Sequence, residues 1–284
     1  MNNKHYNLIK QNGSSATTIT AEMNFNNKKI DYRKKILALY HGVNAGHIGS
    51  SLSCIDLLIA IFEIKTSEEQ VILSKGHAAV ALYTVLHSIG EINDETLATF
   101  YQNGTKLSAH PSANSFKNIP FALGSLGHGF PIGCGIAYAN KLKNNNDHVY
   151  ILMSDGETNE GTTWEAAHFA MAKKLDNLII LIDKNGLQGF GYTKDVLGDT
   201  AEIGKWKAIG FDIIEQDGHD VEKLIEDIND LKSRRNGLPK LIIANTIKGK
   251  GVSYMEDKLE WHYLPMNPET YKEALLSIEK NYNA

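Results

Sequence analysis

Short apolar segments alternate with longer segments of helical period along most of the chain, and this alternation limits the possible folds more than any other feature. Strands are predicted at 71–73, 148–153, 178–183, 211–215 and 241–246, and helices at 78–89, 158–173, 200–209 and 221–232. A succession of strand, helix and strand is typical of a parallel sheet that is buried on both faces. We therefore expect an α/β fold whose mostly parallel sheet is flanked by helices on both faces.

The first residues differ in composition from the rest of the chain. Residues 1–27 are rich in Asn, Ser and Thr and show no sustained hydrophobic period, which predicts a flexible N-terminal tail. Further helices are predicted at 28–41 and 54–62, and no Pro, Gly or Ser linker interrupts the remainder of the chain. Residues 28–284 are therefore expected to form one domain.

Charge and hydropathy exclude several classes of partner. The 29 Lys and Arg and the 33 Asp and Glu residues are scattered and give a net charge of −4, so nucleic acid is not expected as a partner. No apolar run approaches the roughly 20 residues that a membrane span needs, so no membrane partner is expected. The N-terminus shows no export signal, which predicts a cytoplasmic protein.

Four of the predicted strands end in segments that combine glycine with polar or ionisable residues. These segments are 74–77, 154–157, 183–186 and 246–251. In a parallel sheet the carboxyl ends of the strands lie along one edge, where ligands bind in folds of this class. The four segments together predict one shared ligand that is anionic or bound through a metal.

Asp155 and Asn185 follow two of these strands at the spacing of one strand–helix–strand crossover. Taken singly, Asp155-Gly156 and Asn185-Gly186 are more often tight turns. Taken together, they offer a carboxylate and an amide oxygen, which suit Mg²⁺ or Ca²⁺. Since Mg²⁺ usually keeps water or phosphate oxygens as its other ligands, a phosphorylated cofactor is expected, and Gly156 would allow close approach of its phosphate.

These segments resemble a known family. Residues 154–161 with 183–185 resemble the thiamine diphosphate motif, which has the form GDG followed one crossover later by N, with Ser154 in place of the first glycine. The chain is also similar to transketolases, in family order, at residues 46–49, 74–78, 109–111, 124–129, 246–251 and 261–262. The fold that this resemblance implies is the diphosphate-binding domain of thiamine-diphosphate enzymes.

The resemblance also implies roles for individual residues. The Mg²⁺ ligands would be Asp155, Asn185 and the backbone carbonyl of Leu187. Contacts to the diphosphate and thiazolium of thiamine diphosphate would come from His77, Gly156 and the backbone of Gly124, Ser125 and Leu126. His47 and His110 would face the sugar hydroxyls, and His262 would lie between diphosphate and substrate. Glu160 would link the two cofactor sites across a dimer.

Histidine is also suited, on chemical grounds alone, to the proton transfers that a reaction between sugars requires. A ketose donor loses a hydroxyl proton as its carbon–carbon bond breaks, and an acceptor aldehyde gains one; imidazole can perform both transfers. Six other histidines are expected to be surface or structural residues, at positions 5, 41, 87, 148, 168 and 219.

Transketolases of full length contain a second domain, which holds the aminopyrimidine ring of the cofactor and supplies the glutamate that starts the reaction. No residue of this chain matches that glutamate. We therefore expect a separate C-terminal, transketolase-like subunit as partner, in a heterotetramer of two pairs.

The activity that the resemblance implies is the transfer of a two-carbon ketol unit from a ketose, with or without a phosphate, to an aldose. Tyr263 stands where family members often have glycine and would narrow the substrate channel. That difference leaves open a transketolase-like carboligase or decarboxylase that makes a specialised sugar or a deoxyketose. A cofactor-binding subunit without catalysis is the third possibility.

Overall fold

The computed structural model describes the backbone of residues 16–282 and the side chains from residue 25 onward. The strands are β1 Gln70–Leu73, β2 Val149–Ser154, β3 Leu178–Lys184, β4 Leu187–Gln188, β5 Gly191–Tyr192, β6 Asp212–Asp217 and β7 Lys240–Asn245. The helices are α1 Ala16–Val43, α2 Ile48–Ile64, α3 Ala79–Ser88, α4 Asp94–Leu97, α5 Gly129–Leu142, α6 Gly161–Ala172, α7 Thr193–Val196, α8 Ile203–Ile209, α9 Val221–Ser233 and α10 Pro268–Tyr282. Short 3₁₀ turns lie at Gly76–Ala78, Gly156–Asn159 and Leu259–His262.

Five strands form one parallel sheet in the order β1-β2-β3-β7-β6. The central strands β2 and β3 pair in register from Val149 opposite Leu178 to Ser154 opposite Asp183. Every residue of β2 is buried. This arrangement confirms the predicted α/β fold with a mostly parallel sheet.

Helices cover both faces of the sheet because alternate strand residues point in opposite directions. Leu152, Leu181 and Ile242 pack with α1, α2, α3, α9 and α10 on one face. Ile151 and Ile180 pack with α5, α6 and α8 on the other. Because both faces are buried, the strands are continuous apolar runs, which is the pattern that made them recognisable.

The helices differ from prediction in several places. Helix α1 begins at Ala16 instead of residue 28, because no Gly or Pro interrupts residues 16–41 and Phe25 packs on the core. Residues 1–15, which belong to the predicted tail, lie outside the described residues. Helix α2 begins at Ile48 instead of residue 54, and neither α5 nor α10 was predicted.

A short antiparallel hairpin, β4–β5, follows β3 and was also not predicted. It brings Gln188, Gly189 and Phe190 over the carboxyl end of the sheet. Among the described residues, no helix combines the length and the apolar character needed to cross a membrane.

Candidate active site

A cavity of about 400 Å³ opens at the carboxyl ends of the sheet strands. The predicted site residues that line it are His47, His77, His110, Gly124, Leu126, Gly156, Glu160, Asn185, Leu187 and His262. Asp155 is buried directly beside them. Ser125 is exposed and is not among the lining residues. The fold therefore collects in one place residues that are spread over most of the chain.

Four histidines form the wall of the cavity. The ring centroid of His47 lies 5.7 Å from that of His77, 6.2 Å from that of His110 and 5.4 Å from that of His262. His47 holds its place through an N–H that donates to the carbonyl of His262 at 3.0 Å. The rings are close enough for a small substrate to contact several of them at once.

Gly46 makes this arrangement possible. A Cβ on Gly46 would lie 2.3 Å from the carbonyl oxygen of Tyr263, so any side chain there would push the two segments apart. His47 itself has a φ of 70°, in the left-handed region that non-glycine residues rarely adopt. The turn before α2 is therefore shaped to bring the His47 ring against the segment that carries His262.

All four imidazoles are neutral at pH 7. Burial lowers the pKa of His47 to about 4, with His110 and Lys248 adding to the effect, and lowers that of His262 to about 3, with further contributions from Lys248 and His47. Burial also lowers the pKa of His77 well below its usual value and lowers that of His110. A neutral imidazole carries one N–H and one lone pair, so each ring can both donate a hydrogen bond and accept a proton.

Lys248 is the buried cation of the cavity. Its Nζ donates to Ser50 Oγ at 3.2 Å, and burial together with Lys75 lowers its pKa to about 8. The ammonium form still predominates at neutral pH. Lys248 belongs to the glycine-containing segment 246–251, and the structure buries it in the cavity wall, where an anion would neutralise it.

Asp155 and Asn185 meet at neighbouring strand ends, as their spacing predicts. The Asp155 carboxylate accepts hydrogen bonds from the N–H groups of Gly156 at 2.9 Å and Gly186 at 2.8 Å, and from Thr193 Oγ1 at 3.0 Å. Asn185 Oδ1 accepts one from the N–H of Leu187 at 3.1 Å. These contacts fix the side chains beside the cavity.

The residues present fit a divalent cation with a phosphorylated ligand. Burial and the Asp183 carboxylate raise the pKa of Asp155 to about 6, so a cation beside it would stabilise the ionised form. A carboxylate, an amide oxygen and a carbonyl leave room for phosphate and water oxygens. Within residues 25–282 no cluster of three or more His, Cys, Asp or Glu side chains is arranged to hold a metal ion by itself.

Two buried polar atoms at the cavity also point to a ligand. His262 Nδ1 and Gln188 Nε2 have no hydrogen-bond partner among the described residues. A Cβ on Gly156 would lie 2.6 Å from Gln188 Oε1, so the backbone there is closely approached. A polar ligand would satisfy both groups, which otherwise remain costly to bury.

Behind the lining residues lie charged groups whose roles the sequence did not reveal. Lys75 forms a buried ion pair with Asp183, and Ser53 Oγ donates to the same carboxylate at 2.6 Å. Burial alone would lower the pKa of Lys75, but the Asp183 charge and hydrogen bond, together with interactions with Cys54 and Asp155, raise it on balance. Glu157 accepts hydrogen bonds from Ser74 and from the N–H of Gly127. The sequence feature that could have indicated these groups was the presence of charged residues at or just after the ends of apolar strands.

The rim of the cavity is apolar and exposed. Phe190 at 88%, Val196, Leu197 and Tyr263 are exposed and line the cavity, and the exposed residues Tyr192 and Leu264 lie close to them in the chain. Phe190 stands at the tip of the β4–β5 hairpin, while Tyr263 follows the 3₁₀ turn that carries His262. We call these six residues the apolar rim.

Comparison with known proteins agrees with the geometry. The family described as transketolase, thiamine diphosphate binding domain, matches residues 32–276. The chain belongs to the transketolase family. This match confirms the predicted resemblance, including the thiamine diphosphate binding domain.

Several relatives of this transketolase-family chain are similar over most of their own length. It is 37% identical over 258 residues to an apulose-4-phosphate transketolase subunit of Phocaeicola vulgatus, covering 87% of this chain and 91% of the relative. It is 35% identical over 258 residues to the 6-deoxy-6-sulfo-D-fructose transketolase subunit SqwG of Clostridium sp., covering 87% of this chain and 94% of that protein.

Solved structures of transketolases share the fold. The transketolase of Campylobacter jejuni superposes with a TM-score of 0.80 at 28% identity, covering 92% of this chain. The chain spans 43% of the length of that structure. The likeness therefore concerns one part of a longer transketolase.

Proposed function

We propose that this chain is the N-terminal subunit of a split transketolase, which transfers a two-carbon ketol unit from a ketose to an aldose. The observation that carries the proposal is the meeting of four neutral histidines, buried Lys248 and the Asp155–Asn185 pair in one cavity. The similarity to relatives that are themselves named as transketolase subunits supports it.

In this proposal the cavity holds thiamine diphosphate and a divalent cation. Asp155, Asn185 and the Leu187 carbonyl bind the cation, while His77, Lys248 and the backbone at Gly124, Ser125, Leu126 and Gly156 contact the diphosphate and thiazolium. Thiamine diphosphate, when bound, supplies the carbanion stabilisation that makes and breaks the carbon–carbon bond. His262 would satisfy its unpaired Nδ1 between diphosphate and substrate.

The histidines move protons at the substrate. His47 and His110 accept the hydroxyl proton of the ketose donor as its carbon–carbon bond breaks, and return a proton to the acceptor aldehyde. Their lowered pKa values keep both rings able to accept at neutral pH.

A partner subunit completes the proposed site. The described residues leave the apolar rim exposed, which suits a surface covered by a second chain. We propose a C-terminal transketolase-like subunit that holds the aminopyrimidine and supplies the activating glutamate, with two pairs in a heterotetramer. Glu160, exposed at the cavity, would contact the second pair. Location in the cytoplasm stays a prediction.

Native mass spectrometry tests this proposal directly. The tagged full chain would be purified gently from its host with thiamine diphosphate and Mg²⁺ present. We expect a complex that contains a second subunit of about 30–35 kDa, estimated from domain size, and bound cofactor. A cofactor-free chain without a partner would contradict the proposal and favour a non-catalytic subunit.

Tyr263 favours a specialised sugar as substrate. A Cβ on Gly189 would lie 2.3 Å from the Tyr263 hydroxyl, so the Tyr263 side chain reaches the hairpin and narrows the mouth of the cavity. Relatives named for apulose 4-phosphate and for 6-deoxy-6-sulfo-D-fructose support the same direction. The carboligase or decarboxylase alternative differs in its product, because it would release carbon dioxide from pyruvate.

Replacing Tyr263 tests its effect on selectivity. We expect Tyr263→Gly in the complex to raise kcat/KM about tenfold more for longer ketose phosphates than for short ketoses. The reason is that a wider cavity mouth admits more of the sugar's carbon chain. Tyr263→Phe serves as the matched control and should keep the wild-type ratio. An unchanged ratio in Tyr263→Gly would contradict this role. Release of carbon dioxide during turnover would contradict ketol transfer itself.

A further inference from the structure

A buried polar cluster outside the cavity joins three distant parts of the chain. It consists of Arg33 in α1, Asp56 in α2 and His219 in the turn between β6 and α9. The Arg33 guanidinium donates to both carboxylate oxygens of Asp56, at 2.9 Å and 2.6 Å. His219 Nδ1 lies 2.8 Å from Asp56 Oδ2. Arg33 and Asp56 are both fully buried, and we call these three residues the clamp.

The clamp bonds to the backbone on both sides of Lys248. The N–H of Ile247 donates to His219 Nε2 at 2.9 Å, and Arg33 Nε donates to the carbonyl of Lys250 at 3.1 Å. The clamp therefore fixes the residue before Lys248 and the residue two places after it. Between these two points, the N–H of Gly249 donates to the carbonyl of Gly49 at 3.1 Å.

These bonds determine the tautomer of His219. Because Nε2 accepts the N–H of Ile247, the ring proton is on Nδ1 and is donated to Asp56. The Asp56 carboxylate and the two-point contact with Arg33 thereby orient the ring. A substituted side chain that keeps one of these two hydrogen bonds and loses the other would distinguish the effect of the bond to Asp56 from that of the bond to Ile247.

We propose that His219 is a positioning residue, which holds the 247–250 segment so that the Lys248 ammonium projects into the cavity. Arg33 and Asp56 orient His219 and anchor the other end of the segment. The sequence placed His219 among the surface or structural histidines, because nothing near it in the chain indicates that it contacts Ile247. The part that concerns anion binding rests on the proposed function; the part that concerns the clamp does not.

Two substitutions of His219 each keep only one of its two hydrogen bonds. In His219→Gln the side-chain oxygen reaches the former Nε2 position and can still accept the N–H of Ile247. In His219→Asn the amide reaches the former Nδ1 position and can still donate to Asp56, but no acceptor faces Ile247. A residue that merely paired Asp56 would be replaced better by Asn, whereas the positioning role requires Gln.

Hydrogen exchange of the full chain measures the clamp without any ligand. We expect His219→Asn to accelerate exchange of the Ile247 amide about tenfold, since it loses its acceptor, and His219→Gln to change it less than about threefold. His41→Asn, remote from the segment, serves as a control for nonspecific loosening. Equal exchange in His219→Asn and wild type, or faster exchange in His219→Gln than in His219→Asn, would overturn the proposal.

Binding of magnesium pyrophosphate, measured by calorimetry, tests whether the clamp acts through Lys248. We expect His219→Asn to weaken binding about tenfold in the wild-type background and less than about twofold in the Lys248→Met background. Equal losses in both backgrounds would overturn action through Lys248. Absence of binding by the wild-type chain, together with the expected exchange pattern, would contradict the anion site of the proposed function and leave the clamp standing.

Discussion

Asp155 shows how a single side chain was predictable from its neighbours in the chain. It follows a run of apolar residues and precedes a glycine, and Asn185 lies in a similar setting one crossover later. The structure brings both to the same edge of the sheet, since parallel neighbouring strands end together. Residues of this kind are predictable because their position follows from local pattern and from the geometry of the sheet alone.

Lys248 shows the opposite case. It lies in a glycine-containing loop after β7, where a lysine is usually solvated. Its burial depends on the close approach of α2, since a Cβ on Gly49 would lie only 3.1 Å from Lys248 Cγ. Contacts between segments that are distant in the chain cannot be predicted from local sequence. The contacts of His219 and the Lys75–Asp183 ion pair are of the same kind.

Replacing Asp155 tests the cation site. We expect Asp155→Asn to weaken magnesium-dependent binding of thiamine diphosphate by about 100-fold or more, since the amide brings no charge to the cation. The fold should remain intact, because Asp155 lies at a strand end outside the apolar core. Calorimetry of the complex measures the affinity. Asp199→Asn, which changes a carboxylate that is partly exposed, is the control, and equal effects of the two variants would contradict the assignment.

The buried histidines predict how stability depends on pH. The pKa of His47 is about 4 and that of His262 about 3 in the folded chain, whereas unfolded histidine has a pKa of about 6.5. Between these values the unfolded chain binds more protons, so the free energy of unfolding falls as pH decreases from about 6.5 to about 4. Urea unfolding at several pH values measures this slope.

The variant that checks this prediction removes both groups. We expect the double substitution His47→Gln with His262→Gln to reduce the pH dependence of the free energy of unfolding over that interval. His168→Gln replaces an exposed histidine and should leave the slope unchanged. A double variant that kept the wild-type slope would show that the two imidazoles are not the cause.

At the scale of whole elements, the strands were predicted better than the helices. Strands buried on both faces are continuous apolar runs, which can be recognised directly in the sequence. Helix α5 contains Pro131, Gly133 and Gly135, which lower helix propensity, and was therefore missed. Pro131 is tolerated because it lies in the first turn. The early part of α2 was missed because its serines are polar but buried, with Ser53 bonded to Asp183.

Two glycines of α5 differ in what their missing side chains would meet. A Cβ on Gly133 would lie 2.4 Å from Ile151 Cδ1 in the buried strand β2, whereas a Cβ on Gly135 would meet nothing within 4 Å. We expect Gly133→Ala to destabilise the fold by about 1–3 kcal/mol through overpacking. Gly135→Ala should stabilise it by about 0.5–1 kcal/mol because alanine favours the helix.

Urea denaturation of both alanine variants makes this comparison within one helix. The propensity gain is the same for both substitutions, so the difference between them measures how closely α5 packs on the sheet. A similar gain in the free energy of unfolding in both variants would mean that helix α5 lies farther from β2 than described.

For the whole molecule, the apolar rim is the feature that sequence patterns did not reveal. Phe190 packs on no core and is almost fully exposed at the tip of a hairpin. We expect Phe190→Asp to leave the free energy of unfolding within about 0.5 kcal/mol of wild type. Association with the proposed partner subunit should weaken at least about tenfold if the hairpin lies in the interface, because a central aromatic side chain carries much of the binding energy.

Sedimentation of the complex at several concentrations measures that association. Leu142→Asp is the matched control, because Leu142 is also exposed but ends α5 at the opposite edge of the sheet. Equal association by Phe190→Asp and wild type would exclude the hairpin from the interface.

The order of the strands has a consequence for how the chain is made. β6 is synthesised before β7, yet within the described part of the chain it pairs with β7 alone. While the ribosome is still producing the segment between them, both β3 and β6 expose a row of unpaired backbone groups. Insertion of β7 closes both edges in one event. Nascent chains that stall before residue 240 would therefore be the ones that most need a chaperone.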